Sequence, residues 1–272
     1  MSTTTATLPV PTHRTPRGLR IALVALVALC GLATIAYGAW ALLDLAARHT
    51  FERHAAYAGV RTLAVSNDVG DVDLRPAPAG TPLRVTTRVT EGLVTPQARV
   101  ERRGGRLRLS ASRTSPFAQE AKVDYTIAVP AGTSLLVDAS SSDLRVRDYA
   151  SRTPLSLKSS AGDSRLEGVS VPALRVESSA GDIRAEGVRA DPIDLGSSAG
   201  DITVDAVTAP LSLKAESSAG DIRLTVPDVP YRVQASSRGG DVRDSNLRQD
   251  PRARHRIEAT SSAGDIRIET GR

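Results

Sequence analysis

Beyond about residue 60, apolar and polar residues alternate with a period of two. "TLAVSNDVGDVDLRP", "LRVTTRVT", "ARVERRGGRLRLSAS" and "KVDYTIAVP" each read this way, with Gly and Pro between them. The pattern predicts short strands to about residue 130, with "RRGGRL" as a hairpin turn and 113–122 ("RTSPFAQEAK") as a loop. No helical period is sustained in this region.

From about residue 140 the alternation becomes a repeat. "SSAGD" stands at 159–163, 178–182, 197–201, 217–221 and 261–265, with "SSRGGD" at 236–241. Aligned on the final Asp, the copies place Asp143, Asp163, Asp182, Asp201, Asp221, Asp241 and Asp265 at intervals of 20, 19, 19, 20, 20 and 24. Pro154, Pro172, Pro192, Pro210 and Pro230 keep nearly the same beat. A period near twenty predicts an all-β parallel solenoid (β-helix) in which each coil is strand, SSAGD corner, strand and proline corner.

Counting from each Asp identifies the walls. Ile183, Ile202, Ile222, Val242 and Ile266 follow it directly, and Leu166, Ala185, Val204, Leu224 and Ile268 lie three residues on; both columns point inward. Pairs such as Leu155/Leu157, Leu174/Val176 and Ile193/Leu195 supply the opposite wall. The Asp column itself is read as structural, accepting backbone N–H groups across the corner. Its carboxylates, about 4.8 Å apart, would repel one another. Arg165, Arg184, Arg223, Arg243 and Arg267 stand two residues on, and Glu167, Glu186, Asp205 and Glu269 two further, so acid, base and acid columns run side by side. A calcium ladder is the alternative; it would call for more glycine per turn and has no place for the Arg column.

The N-terminus differs in kind. Residues 21–43, "IALVALVALCGLATIAYGAWALL", carry no charge and follow Arg14, Arg17 and Arg20. They predict one transmembrane helix acting as a signal anchor in the lipid bilayer, with 1–20 as a cytoplasmic tail, 44–59 as a stalk, and 60–272 as an extracytoplasmic strand-repeat domain. A cleavable signal peptide with a site at Ala39–Ala41 and a lipoprotein signal at Cys30 are the competing readings.

Composition narrows the function. The chain has a formal net charge of +5, three of it from those N-terminal arginines, and only 3% aromatic residues. No contiguous basic face interleaved with aromatics is present for nucleic acid. The four histidines, His13, His49, His54 and His255, are scattered, and the charges form regular columns, so neither a metal site, a cofactor site nor a catalytic constellation is indicated. "NLRQDPRARHRIE" concentrates Arg248, Arg252, Arg254 and Arg256 in the longest interval, a candidate contact for an anionic envelope polymer or lipid headgroup. The chain stops seven residues past Asp265, which suggests an open last strand available to an envelope protein or to end-to-end self-association.

"YTIAVPAGTSLLVDASSSDLRV" (125–146) and "LRVESSAGDIRAEGV" with its copies resemble the bacterial β-strand-repeat proteins called putative adhesins, a domain of unknown function often attached to a membrane anchor. The resemblance implies a right-handed parallel solenoid outside the cytoplasm and, for some relatives, a link to envelope stress signalling. It transfers no catalytic residue. The expectation is therefore a non-catalytic binding, scaffolding or stress-modulating module, with a carbohydrate-active β-helix enzyme as the alternative.

Overall fold

In the computed structural model the described residues are 17–46, 48–78, 80–91, 94–115 and 121–271; in the helix, side chains are described at 26–40, 42, 43 and 46. The helix, α1 (Arg17–Ala46), and the strand region from Arg48 onward are two compact units. Among the described residues no helix is long and apolar enough to cross a membrane. This corrects the expected transmembrane helix at 21–43, the bilayer as its partner, and the single-pass location with a cytoplasmic N-terminus.

The strand unit opens with β1 (His49–Tyr57), β2 (Thr62–Asn67), β3 (Val72–Pro76), β4 (Leu83–Glu91), β5 (Gln97–Arg103), β6 (Arg106–Ser112) and β7 (Lys122–Val129). The supposed stalk is thus largely strand: β1 pairs antiparallel with β4 along its whole length. Residues 116–120 of the expected loop lie outside the described residues. The repeats follow as two-strand coils: β8 (Ser134–Ala139) and β9 (Leu144–Arg147), β10 (Leu155–Ala161) and β11 (Ser164–Glu167), β12 (Leu174–Ala180) and β13 (Ile183–Val188). Four more complete the stack: β14 (Ile193–Ala199) and β15 (Ile202–Ala206), β16 (Ser212–Ala219) and β17 (Ile222–Val226), β18 (Tyr231–Ser237) and β19 (Val242–Ser245), β20 (His255–Ala263) and β21 (Ile266–Thr270).

The strands form two sheets, ordered β1-β4-β7-β3-β9-β11-β13-β15-β17-β21-β19 and β18-β20-β16-β14-β12-β10-β8-β2-β6-β5. Pairing through the coils is parallel and in register, so like residues stack: Ile183 on Ile202 on Ile222 on Ile266, and Leu155 on Leu174 on Ile193 on Leu213. These columns are buried and face each other as an aliphatic core.

Spatial order departs from chain order at both ends. Coil β2–β3 lies between β6–β7 and β8–β9, and the C-terminal coil β20–β21 lies between β16–β17 and β18–β19. The last strand is therefore not the open edge that the end of the chain suggested. The outermost coil is β18–β19, and its chemistry explains the inversion. Asp244 occupies the place that Ile268 holds in β21, and all four residues of β19 are exposed. Burying Asp244 between coils would desolvate a carboxylate, whereas "IRIET" fills that layer with aliphatic side chains. A polar coil thus covers an apolar one, as solenoid ends require. Residues after β19 add cover: the Tyr231 amide donates to the Arg248 carbonyl (2.9 Å), and the Asp250 amide to that of Tyr231 (2.9 Å).

The corner glycines set the stacking distance. A Cβ on Gly181 would lie 2.3 Å from the Gly162 carbonyl oxygen, one on Gly200 2.3 Å from that of Gly181, and one on Gly264 2.2 Å from that of Gly220. Backbone stands against backbone, with no space for a side chain. Gly196, in mid-strand, has an ordinary φ and nothing within 4 Å of such a Cβ. Gly181→Ala should therefore cost several kcal/mol, while Gly196→Ala should be neutral or stabilising by about 0.5–1 kcal/mol. Denaturant titration of both variants checks the contrast, which equal losses would refute.

Tyr125 and Tyr231 are fully buried, and burial pushes each phenol up to about 12. The unfolded chain ionises first, near pH 10, so their stabilising contribution is complete below that pH and is lost as pH rises towards 12. The Tyr231 hydroxyl has no hydrogen-bond partner. Tyr231→Phe should then hold stability at pH 7 and lose less than wild type between pH 10 and 12, as measured by thermal melts across that range.

Candidate functional site

The first serine of each SSAGD corner is buried, and three of them donate to a glycine carbonyl of a neighbouring coil: Ser197 to Gly181 (3.5 Å), Ser217 to Gly200 (3.3 Å) and Ser261 to Gly220 (3.1 Å). Half-buried Ser237, four residues before Asp241 in SSRGGD, does the same to Gly264 (2.7 Å), whereas the Ser178 hydroxyl has no partner. Asn67 takes the serine's place in the corner after β2. It reaches further, donating to Gly70 O (3.0 Å) and Val123 O (3.2 Å).

The aspartates form one ladder. Each carboxylate accepts, through Oδ1, the backbone N–H of the aspartate in the next coil. The series begins with Asp124 accepting from Asp71 (2.9 Å) and Asp71 from Asp143 (3.4 Å). It continues with Asp143 from Asp163 (3.1 Å), Asp163 from Asp182 (3.0 Å), Asp182 from Asp201 (3.0 Å) and Asp201 from Asp221 (2.9 Å). Asp221 then accepts from Asp265 and Asp265 from Asp241, both at 2.9 Å. The corner turns these amides away from the strand ladder, so without the side chains they would lack a partner.

The second oxygens meet arginines. Arg145 contacts Asp143 (3.1 Å), Arg184 contacts Asp182 (3.1 Å), Arg243 contacts Asp241 (2.9 Å), and Arg223 bridges Asp221 (2.8 Å) and Asp201 (3.3 Å). Thr203 interrupts this base column, and Arg267 turns instead to Glu269 (2.9 Å). Among the described residues, no group of three or more His, Cys, Asp or Glu side chains could hold a metal ion.

Beside the corners an open groove of about 590 Å³ runs across the coils. The second serines, Ser160, Ser179, Ser198, Ser218 and Ser262, form one bank, and Asp138, Lys158, Glu177 and Glu216 stand on the other, with a gap at Gly196. Apart from Asp138, these charges are neutralised in place: Lys158 meets Glu177 (2.9 Å), Arg175 meets Glu177 and Asp194 (3.1 Å), and Lys214 meets Glu216 (2.9 Å). Hydrogen bonds from Lys158 and Arg175 hold the Glu177 carboxyl below the usual carboxylate range. A general acid needs the opposite shift.

The basic segment 248–256 is not one free cationic surface. Arg248 pairs with Asp228 (3.2 Å), Arg256 pairs with Glu258 and donates to Gln234 (3.0 Å), and Arg254 donates to His255 Nε2 (3.2 Å). Among the described residues, Arg252 has only its backbone amide engaged, with Asp250 (2.8 Å).

The profile of the Toastrack DUF4097 family matches residues 60–272. No curated protein matches the sequence. Similar solved structures include a putative cell adhesion protein from Clostridium sporogenes (11% identity, TM-score 0.39, covering 82% of this chain and 100% of that one). A putative adhesin from Bacteroides fragilis (16%, 0.39, 82% and 97%) and a putative lipid binding protein from Parabacteroides distasonis (10%, 0.45, 82% and 97%) are also similar. Likeness at this level carries no functional argument.

If the ladder is what the aspartates are for, Asp182→Asn or Asp201→Asn should lower stability by about 0.5–2 kcal/mol, since an amide still accepts the N–H but loses the charge and the Arg contact. The loss should be the same with and without calcium. A melting temperature that calcium raises in wild type and not in the variants would assign the column to metal instead.

Proposed function

The chain belongs to the Toastrack DUF4097 family through residues 60–272, a domain of unknown function, and from that premise we propose that it is a non-catalytic binding module whose ligand is an extended polymer lying along the corner groove. The observation that carries this is the groove itself: an open channel of about 590 Å³ whose carboxylates, Asp138 apart, are already ion-paired. Glycosidic hydrolysis requires one carboxyl kept protonated and another free to attack or to activate water. Glu177 and Glu216, the acids best placed for such a pair, are tied to Lys158, Arg175 and Lys214. What the groove offers is shape, with hydroxyls repeating at about the coil spacing of 4.8 Å. That periodicity suits a chain of repeating polar units.

Arrays of polysaccharides and extended peptides, incubated with the full chain, test the reading. Ser198→Trp should obstruct the groove and abolish the signal that wild type gives, with the polymer recovered intact. Cleavage of any polymer that disappears in Glu177→Gln or Glu216→Gln would replace this reading with the enzymatic one.

A further inference from the structure

Outward arginines of the central coils such as Arg145, Arg184 and Arg223 are ion-paired; those of the first hairpin are not. β5 and β6 pair antiparallel, with Arg103 opposite Arg106, Glu101 opposite Arg108, and Arg99 opposite Ser110, so these side chains share one face. That face continues onto β2 and β8 through Thr62, Ala64 and Ser66, then Ser134, Leu136 and Asp138. Among the described residues, Arg103, Arg106 and Arg108 have neither a hydrogen bond nor an ion pair, and Arg99 reaches only Gln97 (3.2 Å). Four arginines against Glu101 and Asp138 leave this face at about +2.

Two structural explanations fall short. Charged residues on an outer strand discourage sheet-to-sheet pairing, which accounts for β5. It does not account for Arg106 and Arg108, because β6 is paired on both sides, to β5 and to β2. Nor does ion pairing hold the face together. Arg103 directly opposite Arg106 is a like-charge pair, which weakens a sheet. The face also has relief: a hollow of about 260 Å³ lies between Arg106 and Arg108 on one side and Leu136 and Asp138 on the other, because Ala64 is short.

We propose that the outer face of β5 and β6 binds a ligand carrying two or more phosphate-like oxyanions, held by Arg103, Arg106 and Arg108, with Arg99 at the rim. Guanidinium groups match such oxyanions in pairs of N–H donors, and several unpaired ones at strand spacing favour a chain of anions over a single ion. Leu136, half-exposed across the hollow, gives the bound chain an apolar side to rest against. The site lies on the first hairpin and meets the corner groove only at Asp138; none of its arginines lines that groove, and it does not depend on it.

Short-chain inorganic polyphosphate and inorganic phosphate, titrated into the full chain by calorimetry, are the probes. Polyphosphate should bind more tightly than phosphate, and Arg106→Ala/Arg108→Ala should weaken it about tenfold. Arg189→Ala/Arg232→Ala, which removes equal charge from exposed positions away from the hairpin, should leave it nearly unchanged. Equal weakening by both variants would mean attraction to overall charge and would overturn the site, as would an absence of wild-type binding. Arg106→Gln separates binding from folding: relieving the repulsion with Arg103 should hold or raise the melting temperature while affinity falls. A melting temperature several degrees lower would make the arginines structural and end the proposal.

Discussion

The approach of one corner's glycine to the carbonyl of the corner beneath it fixes everything else in the strand unit. At a separation of 2.2–2.3 Å from an added Cβ, no other residue can stand there. That contact brings adjacent corners to β spacing, and the remaining letters of the motif follow from it. The serine must turn its hydroxyl to the same carbonyls, the alanine must stay small, and the aspartate must receive the amide that the turn leaves unpaired. The arginine column then offsets the charge that such an aspartate stack accumulates.

Much of this was legible in the sequence because a period of twenty and a period of two are both simple to count. The inward columns and the two-strand coil required nothing more than alignment. The order in which coils stack was hidden, because identical columns look the same whichever coil lies next to which. Only residues that break a column carry that information. Asp244, an acid at an inward position, marks its coil as outermost, and Asn67, where later corners have serine, marks a neighbour of different geometry. Likewise "LAARHTFERHAAYA" looks like a polar connector until β4 is seen to be its antiparallel partner. The apolar run at 21–43 suggested a bilayer from composition alone, a reading that the described part of α1 does not bear out.

The surface divides by the same logic. Where acid and base alternate between coils, the charges neutralise one another and the face is mainly structural. Departures from alternation are where interaction is to be sought. In "ARVERRGGRLRLSASR" a single acid stands among arginines, a signal present in the sequence but masked by the ordinary look of a polar strand face. The basic segment 248–256 drew attention by its density of arginine, yet Glu258 at its end pairs with Arg256, and Asp228, which pairs with Arg248, lies far enough along the chain to be missed in a local count.

The inserted C-terminal coil changes how the array can come apart. In a stack laid down in chain order, the last repeat is free to fray by itself, and order can spread one coil at a time from either end. Here β18–β19 has no resting place until β20–β21, which is later in the chain, has docked on β16–β17. The final three coils must therefore assemble as a unit, and a nascent chain cannot complete this end of the array until β21 has been made. What looks like a one-dimensional repeat behaves at this end as a latch, trading independent local melting for cooperativity.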